Sequence, residues 1–165
     1  MIRKIDSMWR HEAPESGPLA SSHISVTFCA LVKSGMIVQD LLNLEFEGTP
    51  NDFSDKSLSP MDYCLAYTDG ELFDHYIKAR YREAVVELFE SNKIFNLITD
   101  ESFMSHIEDS EFDYTLKCTW GNVDILANWL QQHIAASAQI KQQKQSTNRL
   151  KGLKKWLQKL TKSLS

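Results

Sequence analysis

The sequence predicts an α+β fold, a small antiparallel sheet packed against helices, with a C-terminal basic amphipathic helix. Three observations carry this expectation. Phe112, Tyr114, Leu116, Cys118 and Trp120 alternate without a fault against Asp113, Thr115, Lys117 and Thr119, the period of a strand with one face on a core and the other in water. Leu72/Phe73, Tyr76/Ile77, Ala84/Val85 and Leu88/Phe89 recur on one side of a helix, with Lys78, Arg82, Glu83 and Glu87 opposite. Finally, the charge is partitioned. Residues 1–140 hold all 22 acids and 10 of the 18 Lys/Arg, a balance of −12; residues 141–165 hold the other eight cations and no acid, a balance of +8. Such a split between body and tail suggests an interaction tail. Two units are expected, an acidic α+β domain over 1–140 and a basic amphipathic helical tail over 141–165.

Along the chain, Ile2, Ile5, Met8 and Trp9 fall at roughly helical spacing and predict a short N-terminal helix. Residues 10–22, with two prolines and a glycine, read as a surface loop. Residues 23–33 fit two periods. Ile24, Val26, Phe28, Ala30 and Val32 alternate, while Ile24, Phe28, Leu31 and Val32 also form a helical stripe; the wealth of β-branched residues favours a strand. Lys33-Ser34-Gly35 would then turn into a second strand, with Leu42, Leu44 and Phe46 inward.

After a polar loop over 48–59, Ser59-Pro60-Met61-Asp62 has the form of a helix start, with Ser as N-cap and Pro in the first turn. Thr68-Asp69-Gly70-Glu71 has the form of a capping box opening the long helix, which Lys93 closes with a cation. Gly121-Asn122 ends the strand over 111–120, and Asn122 is placed to cap a helix that turns Val123, Leu126, Leu130 and Ile134 inward. Residues 135–148, rich in Gln, Lys and Ser, read as an exposed helix end or a linker.

Leu150, Leu153, Leu157, Leu160 and Leu164 then recur at spacings of three and four, beside Trp156. Lys151, Lys154, Lys155, Lys159 and Lys162 fill much of the remaining surface. Several readings of this stripe compete. It docks in a groove on another protein, lies on an anionic membrane, or packs on its own body or on a second copy of itself. Nucleic acid ranks last, because a body at −12 repels that polymer and Trp156 alone is a thin stacking platform. The candidate partner-binding residues are Leu150, Leu153, Trp156, Leu157 and Leu160 with Lys151, Lys154, Lys155 and Lys159.

Catalytic signatures are sparse. The chain has no Gly-x-Ser-x-Gly, no glycine-rich phosphate loop, no His-Glu-x-x-His and no Cys-x-x-Cys. Glu71 and His75, four apart on the expected helix, read better as a surface ion pair than as an acid/base pair. His106, Glu108 and Asp109 read better as an acidic loop than as a metal site. Cys29, Cys64 and Cys118 sit among apolar neighbours as buried free thiols, and no cofactor is expected.

No apolar run approaches the ~18–20 residues that cross a bilayer, and the first residues resemble neither a secretory nor a mitochondrial leader. The expected compartment is the cytoplasm. In composition alone the chain resembles secretion chaperones, immunity proteins and phage-encoded inhibitors. The functional expectation is a non-enzymatic protein-protein interaction module of adaptor, chaperone, immunity or inhibitor type. It would bind a macromolecular partner through the acidic body, which steers a basic partner, and through the leucine-striped basic C-terminal helix, which anchors it. The alternatives are a small enzyme with dispersed acid/base residues and a peripheral membrane protein anchored by residues 149–164.

Overall fold

A helix buried on every side organises the chain. The computed structural model describes residues 2–7, 22–43, 56, 58–105 and 116–134, and helix α1 (Ser22–Lys33) lies at their centre. Every residue from Ile24 to Val32 is buried, so the segment expected as a strand is a core helix. Strand-like alternation requires water on the Ser25 and Thr27 side. Here that side meets protein: the Thr27 hydroxyl donates to the His23 carbonyl (2.6 Å) and the Ser25 hydroxyl to Met61 Sδ (3.5 Å). A helix apolar all round belongs in a core, and burial overrides β-branched propensity. The Lys33–Gly35 turn ends this helix. Gly35, at φ +68, donates to Val32 O, and Met36 N reaches back to Leu31 O, the paired bonds of a Schellman motif.

The expected hairpin partner is also different. Gln39–Leu42 forms the short helix α2, and residues 44–46 lie outside the described region. The antiparallel sheet is built elsewhere, from β1 (Lys4–Ser7) and β2 (Glu71–Phe73), with Asp6 opposite Leu72, Ser7 opposite Glu71, and an irregularity between Lys4 and Asp6. The N-terminal segment expected as a helix is thus an edge strand, because Leu72 offers it a buried neighbour.

Helix α3 (Pro60–Thr68) begins where the sequence indicated. The Ser59 hydroxyl accepts from Asp62 N, and the Asp62 carboxylate accepts from Ser59 N, a reciprocal capping box. Cys29 Sγ donates to Pro60 O (3.5 Å), and Tyr67 meets Phe28 with ring centroids 6.4 Å apart; these contacts lock α3 on α1. The second capping box, at 68–71, does not open a helix. Asp69 (φ 50) and Gly70 (φ 71) are left-handed and terminate α3. Glu71–Phe73 then extends as β2, Asp74–Tyr76 makes one 3-10 turn, and Ile77 forms a single bridge to Ile37.

The expected long helix therefore starts only at α4 (Ala79–Glu90). Leu72 and Ile77 are buried as extended residues, not as a helical face. Lys93 does not close α4. It opens α5 (Lys93–Ile98) after Asn92 at φ 55.

Leu116 sits in an isolated bridge, and residues 117–119 are not strand. The helix α6, described over residues 120–134, begins at Trp120. The strand expected through Trp120 therefore stops short, and its residues 111–115 lie outside the described region. Val123, Leu126, Leu130 and Ile134 are all buried, as their spacing indicates. The cap, however, is Thr119, whose hydroxyl accepts from Asn122 N (3.3 Å). The fold is α+β, a two-stranded antiparallel sheet with several helices. No helix among the described residues is long and apolar enough to cross a membrane.

Candidate functional site

The chemistry-bearing concavity lies where β1 passes the start of α1 and the end of α4. A cleft of about 460 Å³ opens there. Arg3, Lys4 and Asp6 of β1 and His23 of α1 provide its polar side. Phe89 of α4 and Ile94, Phe95 and Ile98 of α5 provide its apolar floor. The floor follows from helix geometry: Ile94 and Ile98, four apart, face the core, and the Phe95 ring beside them is 44% exposed.

Two contacts define the polar side. His23 Nε2 stands 3.6 Å from Asp6 Oδ2, both side chains being mostly buried. The carboxylate thus lies at the N-terminal end of α1, where the helix dipole favours an anion. A carboxylate against an imidazole has the composition of an acid/base pair; 3.6 Å is longer than a hydrogen bond, and the close polar contact joins β1 to α1. Arg3 reaches across to pair with Glu90, and its backbone N donates to Asp74 Oδ1 (3.1 Å).

Beyond the Arg3–Glu90 bridge lies a second hollow of about 490 Å³, lined by Asp74, Arg82, Glu83 and Glu87. Arg3, Val86 and Glu90 line both, so the two hollows adjoin along α4 as a groove crossed by the Arg3–Glu90 bridge. Glu83, Glu87 and Glu90 are exposed along its wall. Arg82 donates to Ile77 O (3.3 Å), while its Nε is buried without a hydrogen-bond partner among the described residues.

The three cysteines, dispersed in sequence, are neighbours in space. Burial pushes the Cys64 thiol up to about 12, opposed by hydrogen bonds from Thr68 and Ser25. It pushes Cys118 up to about 11, and Cys29 well above its ordinary value with Cys64 and Cys118 adding to the effect. Thiols held this far from ionisation are poor nucleophiles and poor metal ligands at neutral pH. Among the described residues no group of three or more His, Cys, Asp or Glu is placed to hold a metal ion.

The weaker sequence groupings disperse. Glu71 lies on β2, paired with Lys4, and His75 lies on the 3-10 turn against Phe73 and Tyr76, so the two share no helical face. His106, Glu108 and Asp109 lie outside the described residues. So does the whole candidate partner-binding set, Leu150, Lys151, Leu153, Lys154, Lys155, Trp156, Leu157, Lys159 and Leu160. The Asp6–His23 pair left no signal in the sequence, since the two stand seventeen positions apart on elements of different type. Family models, curated proteins and solved structures offer no match to this chain.

Proposed function

We propose that this chain is a protein-protein interaction module of adaptor, chaperone, immunity or inhibitor type. It engages a partner protein through residues 149–164, with Leu150, Leu153, Trp156, Leu157 and Leu160 as apolar anchors. Lys151, Lys154, Lys155 and Lys159 orient the approach. The observation that carries this reading is the charge partition, eight cations and no acid in the last 25 residues beside a body at −12. Charge of one sign beside an apolar stripe steers encounter and then anchors the complex. Burial that holds all three thiols above their ordinary range is in keeping with a binding role.

A second reading has one observation in its favour. The cleft with its Asp6–His23 pair has the volume and the mixed lining of a small-molecule site, which keeps a small enzyme as the alternative.

The deciding experiment compares the full-length chain with a Leu153→Asp/Leu157→Asp variant as bait in native lysate. A protein retained by the first and lost from the second, and then rebound in purified form, supports the reading. Identical retention by both baits sinks it. Flotation of the same two proteins with anionic vesicles identifies a membrane surface, should that be the true target.

A further inference from the structure

We propose that residues 149–164 dock into the groove along α4 of their own chain when no partner is bound, so that a partner must displace them. The inference rests on the reading of that segment as a docking helix and adds where it docks and how it is regulated.

The groove offers what a leucine-striped basic helix requires. Its bottom is Val86 and Phe89, continued by the half-exposed Phe95. In its second hollow four carboxylates, Asp74, Glu83, Glu87 and Glu90, face two guanidinium groups, Arg3 and Arg82, an acidic excess. The lengths agree as well. Glu83 to Glu90 spans about 10 Å of α4, and Lys151 to Lys159 spans about 12 Å when helical, at ~1.5 Å per residue. An acidic stripe of one or two turns therefore faces a basic stripe of similar extent, and both border an apolar seam.

Reach and concentration favour the same chain over a second copy. Residues 135–148 separate α6 from the segment, and fourteen residues extend at most about 50 Å at ~3.5 Å each. A domain of this size is roughly 35 Å across by its expected radius of gyration. A connection of that length holds the segment near the groove at an effective concentration of roughly millimolar. A contact too weak to join two copies at micromolar protein is then sufficient within one. Exposed ion pairs contribute little individually, so the leucines supply the attraction and the glutamates set the register.

The test couples carboxylates to amines by zero-length carbodiimide cross-linking of the purified full-length chain, as an equal mixture of ¹⁴N and ¹⁵N protein, read by mass spectrometry. Links from Lys151, Lys155 or Lys159 to Glu83, Glu87 or Glu90 are expected within single-isotope pairs. They should be lost, those to the unaltered Glu90 included, when Glu83→Lys/Glu87→Lys sets like charges against the basic stripe and abolishes the docked register. Lys151→Glu/Lys155→Glu in the same chain restores it, which is read as renewed cross-links between the exchanged groups. Far-UV circular dichroism verifies that each variant is folded. Links confined to other surfaces, mixed-isotope links, or loss without restoration would overturn the proposal. No partner enters this measurement, so failure of the partner assay leaves its outcome intact, and the reverse.

Discussion

Asn122 shows how one side chain can organise a junction. It is 1% exposed, accepts from Ser105 N (2.9 Å), and donates to Ser105 O (2.9 Å) and Lys117 O (2.8 Å). The loop after α5 and the entry to α6 are joined through that amide and through the bond from Lys117 N to Ser105 O (2.9 Å). Replacing Asn122 with Ala removes three hydrogen bonds at about 0.5–1.5 kcal/mol each. Ser105 N loses its partner, while Ser105 O and Lys117 O keep the bonds they accept from Lys117 N and Thr119 N. Asn122→Ala should therefore lower unfolding free energy by roughly 2–4 kcal/mol in urea titration. A loss under about 0.5 kcal/mol would remove this role. The thiols make a second residue-scale prediction. Cys64 rises from 9.0 in an ordinary setting to about 12, so above pH 9 the unfolded chain gives up a proton that the folded chain keeps. Stability from this group is complete below pH 9 and is lost as pH rises toward 12. Relative to Cys64→Ala, the native chain should show an extra downward slope of about 1.4 kcal/mol per pH unit in that window. Equal slopes would show that the thiol ionises freely in the fold.

Among the elements, α1 and α4 show where local pattern and tertiary context part. Both periods were legible in residues 23–33, and only the neighbours could choose. With Ser25 against Met61 of α3 and Thr27 buried as well, alternation has no water to face, and a helix satisfies the buried backbone groups internally. In residues 72–89 the helical period was genuine from Ala84 onward, but Asp69 and Gly70 at positive φ redirect the chain into β2 first. The two capping-box sequences likewise look alike on paper. Only Ser59–Asp62 makes the reciprocal bonds, while the Thr68 hydroxyl instead donates back to Cys64 O (2.6 Å). Ser59→Ala should consequently cost about 1 kcal/mol. Glu71→Ala, which removes a partly exposed pair with Lys4, should cost roughly 0.5 kcal/mol or less. Thermal melts of the two variants compare them directly; equal losses would mean that the cap contributes nothing particular.

For the whole molecule, the dominant property is the separation of charge between body and tail. If the leucine stripe is the anchor, Leu157→Asp should weaken partner capture by far more than Lys162→Ala, because burying a carboxylate in an apolar seam costs several-fold more than losing one screened cation. Titration of the purified partner against both variants measures this, and equal losses would make the attraction electrostatic. Steering by the acidic body predicts in addition that association slows steeply with salt, since the screening length falls from about 10 Å at 0.1 M to 3 Å at 1 M. A flat rate across that range would assign the steering elsewhere.

The α+β class was expected from strands other than the two that form the sheet. What the sequence by itself determined is the start of α3 at Ser59, the inward face of α6 through Val123, Leu126, Leu130 and Ile134, and the partition of charge. These rest on bonds within one turn, on one helical period, or on counting, and none needs a distant partner. Only the tertiary structure decided that residues 22–33 are helix, that β1 pairs with β2, that three scattered cysteines become neighbours, and that Asp6 meets His23 beside an acidic groove. Each of these depends on which surfaces cover which. That is a property of contacts between segments far apart in the chain, and local periodicity carries no record of it.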